Sequence, residues 1–185
     1  DYDQPADLRD RLAARGFILR EPADAIMVLD LHAMPDMLQQ PIPEAIRPIK
    51  TPDGIRGVMG MLQAVWGEDY TFLGDELINQ LENTPDALSM YAAFDGEAIV
   101  SGAWIQYTGK SQFAGLWGGS TLESHRRRGL YTGLLAVRAN EARERGIRFL
   151  TVDASPMSRP ILERFGFRCI GLATACEWGV DAPTA

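Results

Sequence analysis

Apolar positions along this chain change their spacing repeatedly, and each change predicts an element. Ile46 to Lys50 reads as a short strand, broken by Thr51-Pro52-Asp53-Gly54. Ile55, Met59, Met61, Leu62 and Val65 then recur at helical spacing, which predicts a first helix. A shorter helix is expected over Gly74 to Leu81, ahead of Asn83 and Pro85. Leu88 to Phe94 and Ala98 to Tyr107 read as strands on either side of Asp95-Gly96, a strong signal for a two-residue hairpin loop. Phe113 to Leu122 predicts a third consecutive antiparallel strand. Gly129 to Gly146 predicts a helix with Leu134, Leu135, Ala139 and Ala142 on its apolar side and Arg138, Glu141 and Arg145 off it. Phe149 to Val152 reads as a buried strand. A short helix over Pro160 to Phe165, closed by Gly166, and two strands around Cys169–Gly171 and Ala173–Trp178 complete the pattern.

The first 42 residues stand apart from this alternation. Leu12-Ala-Ala-Arg-Gly16-Phe17 has the spacing of Leu162-Glu-Arg-Phe-Gly166-Phe167, and each is followed by a second strand-like run, Ile26 to Leu31 and Ala173 to Trp178. Two readings stand side by side: coincidence between two helix–glycine–strand units, or an internal half-repeat. Pro35, Pro41 and Pro43 then form a stiff linker. The expected organisation is an N-terminal extension over 1–42 and a main domain over 43–185.

Composition narrows the class. At 185 residues with 46% apolar content the chain can bury a full core. Eighteen basic against 25 acidic residues give a net charge of −7, which disfavours nucleic acid and anionic membrane as partners. Cys169 and Cys176 have neither metal-site spacing nor a disulfide-rich context, which suits a reducing cytoplasm, and no metal site is expected. No long apolar run and no signal peptide are visible, so a soluble, cytoplasmic protein is expected. The chain opens on Asp1 rather than methionine, so sequence upstream of it is expected. His32, a lone histidine in an apolar run, reads as structural.

The most informative stretch is Ser120 to Leu135. A glycine-spaced strand (Gly115, Gly118, Gly119) runs into Arg126-Arg127-Arg128-Gly129, which opens directly into a helical pattern. Such a turn leaves several backbone N–H groups without partners, with the positive end of the helix dipole behind them. That combination is a socket for phosphate.

The order strand, two helices, three antiparallel strands, helix, strand, helix, two strands resembles the GNAT superfamily of N-acetyltransferases over residues 44–178. The family signature Gln/Arg-x-x-Gly-x-Gly/Ala is matched by Arg126-Arg127-Arg128-Gly129-Leu130-Tyr131. The later pattern Asn-x-x-Ala-x-x-x-Tyr-x-x-x-Gly-Phe corresponds to the run from Ser155 to Phe167. The resemblance implies an α/β (α+β) fold: a mixed, mainly antiparallel sheet of about seven strands flanked by helices, here with an extra N-terminal helix–strand–strand segment. It also implies acetyl-CoA as co-substrate. Arg127, Arg128, Gly129, Leu130, Tyr131 and Thr132 would hold the diphosphate, with Arg126 a solvated neighbour. Ser120, Thr121, Leu122 and Ser155 would lie along the pantetheine arm.

The implied activity is transfer of an acetyl group to a primary amine by direct attack in a ternary complex, with a strand N–H near Leu122 stabilising the developing oxyanion. The signature's small sixth residue is replaced by Tyr131. Leu162 stands where many relatives carry a tyrosine that protonates the departing thiolate, and Ser155 stands where they carry asparagine. Candidate bases are Glu123 and Asp153, with His125 behind them, and the hydroxyls of Ser155 and Ser158 are candidate proton donors. Trp66, Tyr70, Trp104, Tyr107 and Trp117 are candidates to line the acceptor pocket. Expected partners are a small-molecule or peptide amine and, through the N-terminal strands, a second copy in a homodimer. The alternative is a non-catalytic module that binds or senses acyl-CoA.

Overall fold

A computed structural model describes residues 3–33, 36 and 39–178 of the chain. Pro35, assigned above to the linker, and residues 179–185 lie outside the described residues. The chain forms two compact units, Asp30–Thr151 and a second made from both ends, Asp1–Leu29 with Val152–Ala185.

The larger unit starts with β3 (Ile46–Ile49) and two helices, α2 (Pro52–Trp66) and α3 (Thr71–Asn83). Helix α2 begins where sequence chemistry says it should. Thr51 is extended and its Oγ1 accepts from Gly54 N–H at 3.2 Å, with Pro52 at the first helical position and left-handed Gly67 ending the helix. Helix α3 is longer at both ends than the spacing predicted. Strands β4 (Leu88–Asp95), β5 (Ala98–Tyr107) and β6 (Phe113–Thr121) follow as an antiparallel meander. In the β4–β5 hairpin Asp95 pairs with Ala98, so the two loop residues are Gly96 and Glu97, one position later than the sequence signal was placed. Ile55, Val58, Met61, Leu62, Leu77, Met90 and Trp104 pack into one apolar cluster joining α2 and α3 to this meander.

Helix α4 (Leu130–Glu144) buries Leu130, Leu134, Leu135, Ala139 and Ala142 as expected, but also Arg138. The placing of Arg138 off the buried side is therefore corrected: it is 2% exposed. Strand β7 (Phe149–Ala154) pairs parallel with β6 from Phe113↔Phe149 to Gly115↔Thr151, where the ladder stops.

The unit boundary falls inside β7 and at the end of the strand Asp24–Asp30. The smaller unit contains α1 (Leu8–Ala13), β1 (Phe17–Leu19), β2 (Asp24–Asp30), α5 (Arg159–Arg164), β8 (Arg168–Ala173) and β9 (Cys176–Trp178). The turn between the last two strands lies later than predicted. Strand β2 sits between β7 and β8, giving a mixed, mainly antiparallel seven-stranded sheet in the order β3-β4-β5-β6-β7-β2-β8, while β1 and β9 form a separate pair. His32, read as structural, follows β2 as an exposed turn residue whose N–H donates to Asp30 Oδ1 at 3.0 Å. Among the described residues no helix is long and apolar enough to cross a membrane.

Candidate functional site

The turn between β6 and α4 is built by two residues in the left-handed region. Arg127 has φ +62° and Gly129, the residue capping α4, has φ +76°. A left-handed residue beside a helical one points successive N–H groups into a single concavity. From Arg127 through Arg128, Gly129, Leu130 and Tyr131 to Thr132, no N–H has an acceptor among the described residues; the first helical bond is Gly133 N–H to Gly129 O at 2.8 Å. Nothing caps the helix from a side chain, and the Thr132 hydroxyl turns back to Gly129 O at 2.9 Å. A Cβ built on Gly129 meets only Thr132 Oγ1, at 3.9 Å, so this face of the turn is open. A φ near +76° is one that glycine adopts freely and other residues only with strain.

The arginines divide differently from the sequence expectation. Arg126 Nε donates to Thr121 O at 3.2 Å and Arg128 Nη2 to Ser124 O at 3.3 Å, so both guanidinium groups brace the turn. Arg127 is exposed. His125 spends both ring nitrogens on neighbours, with Nε2 3.0 Å from Asp95 Oδ2 and Nδ1 2.8 Å from Ser124 Oγ. That contact ties the turn to the β4–β5 hairpin and holds the Asp95 carboxyl below its ordinary range, first through the hydrogen bond and then through the imidazole's charge. His125 is thus occupied as a tether.

Along β6 the backbone departs from a regular strand at Gly118 and Gly119. Trp117 pairs with Trp104 and Ser120 with Gly102, so the register steps over both glycines. Gly118 has φ +67°, and a Cβ there would lie 1.8 Å from Trp104 Cζ3. Arg138 secures the strands at this point: its Nη1 donates to Trp104 O at 3.0 Å and to Trp117 O at 3.3 Å, and its Nε to Leu134 O at 2.8 Å. Burial lowers its pKa to about 10, which still leaves it charged at neutral pH. Spacing alone missed this residue, because a charged side chain on a helix is read as solvated. The phenol of Tyr131 lies against the same bulge, its Cε2 3.0 Å from where a Gly119 Cβ would stand. Desolvation pushes its pKa up, against the lowering effect of Arg138.

Ser120 and Thr121 are buried and engaged. Ser120 Oγ accepts from Trp66 Nε1 at 3.0 Å, Ser101 Oγ donates to Ser120 O at 2.7 Å, and Ser101 and Thr121 share a hydroxyl contact at 2.7 Å. Leu122 N–H donates to Val100 O at 2.9 Å. The free oxyanion donor expected near Leu122 is therefore not the Leu122 N–H itself, which is already paired with β5. Glu123 is exposed in a short 3-10 turn. Of the aromatic candidates, Trp104 and Tyr107 belong to the core, at 5% and 9% exposure, whereas Trp66 and Trp117 are half exposed.

The remaining candidates belong to the smaller unit. Asp153 is exposed at the end of β7, yet partial desolvation and then the charge of Asp24 push its carboxyl pKa up. Ser155 and Ser158 come together at the start of α5, where their hydroxyl oxygens lie 3.3 Å apart and Ser158 Oγ donates to Ser155 O at 3.2 Å. Leu162 is 1% exposed and part of the core.

No curated protein matches the chain. Among solved structures it is similar to a GCN5-related N-acetyltransferase from Kribbella flavida, with 15% identity and a TM-score of 0.66 over 92% of this chain and 63% of that one. It is also similar to a predicted acetyltransferase with acetyl-CoA from Clostridium acetobutylicum, with 22% identity and a TM-score of 0.57 over 66% of this chain and 88% of that one. A third is a tandem GNAT protein from the clavulanic acid biosynthesis pathway, with 18% identity and a TM-score of 0.63 over 98% of this chain and 61% of that one. The chain thus spans less than two thirds of the first and third of these proteins. The fold and the anion-ready turn agree with a family model described as the acetyltransferase (GNAT) domain, which matches residues 45–170, and the chain belongs to that family.

Proposed function

We propose that the protein is an acetyl-CoA-dependent N-acetyltransferase that delivers an acetyl group to a primary amine held beside the coenzyme. The observation that carries this reading is the run of six amides from Arg127 to Thr132, none with an acceptor among the described residues, with an open face at Gly129. A diphosphate fits that set in charge, in hydrogen-bond sense and in the absence of an obstructing Cβ. Arg127, exposed beside the amides, is the side chain most available to a phosphate. Acetyl-CoA, when bound, supplies the acetyl group as a thioester; the chain's own task is to orient it, exclude water and manage protons.

An alkyl amine with a pKa of about 10.4 must lose a proton first, which costs roughly 4–5 kcal/mol at pH 7. Asp153, whose carboxyl is already pushed up, suits the role of base better than exposed Glu123. With Leu162 buried and apolar, the proton donor is sought among hydroxyls: Tyr131 against the β6 bulge, then Ser155 and Ser158. Half-exposed Trp66 and Trp117 offer aromatic surface to a cationic acceptor. The buried apolar Leu162 also favours a second reading, a module that binds acyl-CoA without turnover. Release of free thiol from acetyl-CoA in the presence of an amine library separates the two: amine-dependent release supports the enzyme, and binding without release supports the module.

We further read residues 1–42 as a partial half-repeat of the 43–185 acetyltransferase domain. The matched spacing of Leu12-Gly16-Phe17 and Leu162-Gly166-Phe167 supports this, as does similarity over nearly the whole chain to a protein described as a tandem GNAT.

A further inference from the structure

The smaller unit repeats itself in detail. Helix α1 and helix α5 are both six residues long, and each ends at a left-handed glycine, Gly16 at φ +83° and Gly166 at φ +85°. Their closing hydrogen bonds coincide. Arg15 N–H donates to Leu12 O and Gly16 N–H to Ala13 O, as Phe165 N–H does to Leu162 O and Gly166 N–H to Glu163 O. Each helix leads into two strands, β1 and β2 in one case, β8 and β9 in the other. The strands do not pair within their own copy. Instead β1 pairs antiparallel with β9, and β2 pairs antiparallel with β8. Exchanging the two copies converts one pairing into the other, with registers that agree to within about one or two residues.

The surroundings of the two copies differ. Strand β2 is flanked on both edges, by β7 and β8, and buries Ala25, Met27 and Leu29 at 2% or less. Among the described residues its counterpart β9 has β1 on one edge only, and all three of its residues are exposed, Trp178 at 70%. Leu162 and Phe167 are 1% and 3% exposed, whereas their counterparts Leu12 and Phe17 are only partly buried and α1 buries no residue.

We infer, resting on the half-repeat reading, that the free edge of β9 and the apolar side of α1 and β1 are the docking surface for the body of a second acetyltransferase-type domain. The strand of that domain equivalent to β7 pairs along β9, as β7 flanks β2 here. Leu12 and Phe17 then become buried, as Leu162 and Phe167 are here. The occupant follows from the repeat: an acetyltransferase-type sheet lacking its closing helix–strand–strand offers the unpaired strand edge that β9 would complete, as β2 completes the sheet here. Strand exchange between the two domains makes each depend on the other for its last strands.

The test compares the 185-residue chain with the longest product of its gene. Hydrogen exchange at Cys176, Glu177 and Trp178 is the main readout, with Phe17→Asp and Trp178→Asp as variants. Slowing of β9 amides by about tenfold or more in the long product, abolished by either variant, supports the inference. Equal exchange in the two proteins, or flanking sequence without an acetyltransferase-type strand–turn–helix, overturns it. The half-repeat reading has its own check in the 185-residue chain. Residue 19 faces Cys176 across the β1–β9 pair, so Leu19→Cys should form an intramolecular disulfide with Cys176 on mild oxidation and spare Cys169. A disulfide with unchanged β9 exchange removes the docking surface alone. Absence of the disulfide together with unprotected β1 amides removes the exchanged half-repeat and the docking surface with it.

Discussion

Substituting Gly118 by alanine tests whether β6 really bulges into the core beside Trp104. Two effects add. The backbone at φ +67° is one that an L side chain reaches at a cost of about 1–2 kcal/mol. The new Cβ would stand 1.8, 2.4 and 2.6 Å from three atoms of the Trp104 ring. Trp104 is 5% exposed and belongs to the same buried cluster as Val58, Met61 and Leu62, so moving its ring would disturb packed side chains. Overpacking of this kind adds about 1–3 kcal/mol. The expected loss is therefore about 2–5 kcal/mol, or a fall in Tm of roughly 4–20 °C for a chain of this size. Urea and thermal unfolding of Gly118→Ala, Trp104→Leu and the double variant separate the two contributions. Trimming the indole relieves the clash but not the backbone strain, so the pair should couple by about 1–3 kcal/mol. Gly119→Ala is the contrast: its φ is ordinary and its Cβ meets only the edge of the Tyr131 ring, so its effect should be smaller. A Gly118→Ala protein as stable as the parent, or a strictly additive double variant, would refute the bulge.

Three further outcomes follow from the same geometry. Arg127→Gly exchanges about 1–2 kcal/mol of left-handed strain for glycine's conformational entropy of about 0.5–1 kcal/mol. The variant should melt slightly higher than the parent, and a lower Tm would contradict the strained turn. Arg138→Met removes the donor to Trp104 O and Trp117 O, each orphaned carbonyl costing about 1–3 kcal/mol, partly offset because the charge no longer has to be desolvated. Denaturant unfolding should show a net loss that does not change between pH 6 and 8, since Arg138 titrates only near 10. The Asp95–His125 contact should stabilise the protein above the ordinary carboxyl pKa of 3.8 and lose its effect as pH falls through the lowered folded value. Melting curves of the parent and Asp95→Asn should accordingly converge in acid; a gap that persists or widens there would assign the wrong sign.

Much of the fold was legible because local chemistry punctuates it. Thr51-Pro52, Gly67, Asp95-Gly96 and Gly166 mark element ends by mechanisms that act within a few residues, and the predicted elements lie close to them. The turn, with its amides unpaired among the described residues, was legible for the same reason, since Gly129 and the helix opening after it are local features. Arg138 was not, because the helical period says where a side chain points but not whether strand carbonyls await it there. The bulge at Gly118 and Gly119 showed in sequence only as a cluster of glycines. Its direction depends on Trp104, a partner on another strand. The insertion of β2 between β7 and β8 was out of reach, since sheet order is decided by pairings between the two ends of the chain. The engagement of Leu122 N–H with Val100 O likewise depends on the register of a neighbouring strand.

Thermal melting with and without acetyl-CoA bears most directly on the central claim, that the amides from Arg127 to Thr132 grip the coenzyme's diphosphate. At about a hundred times the dissociation constant, binding adds about 2.7 kcal/mol. For a chain of this size that corresponds to a rise in Tm of roughly 5–11 °C. Gly129→Glu should remain folded and show no rise, because its side chain would fill the open face of the turn and oppose the phosphates with its charge. An unmoved parent Tm, or an equal rise in Gly129→Glu, would contradict the account.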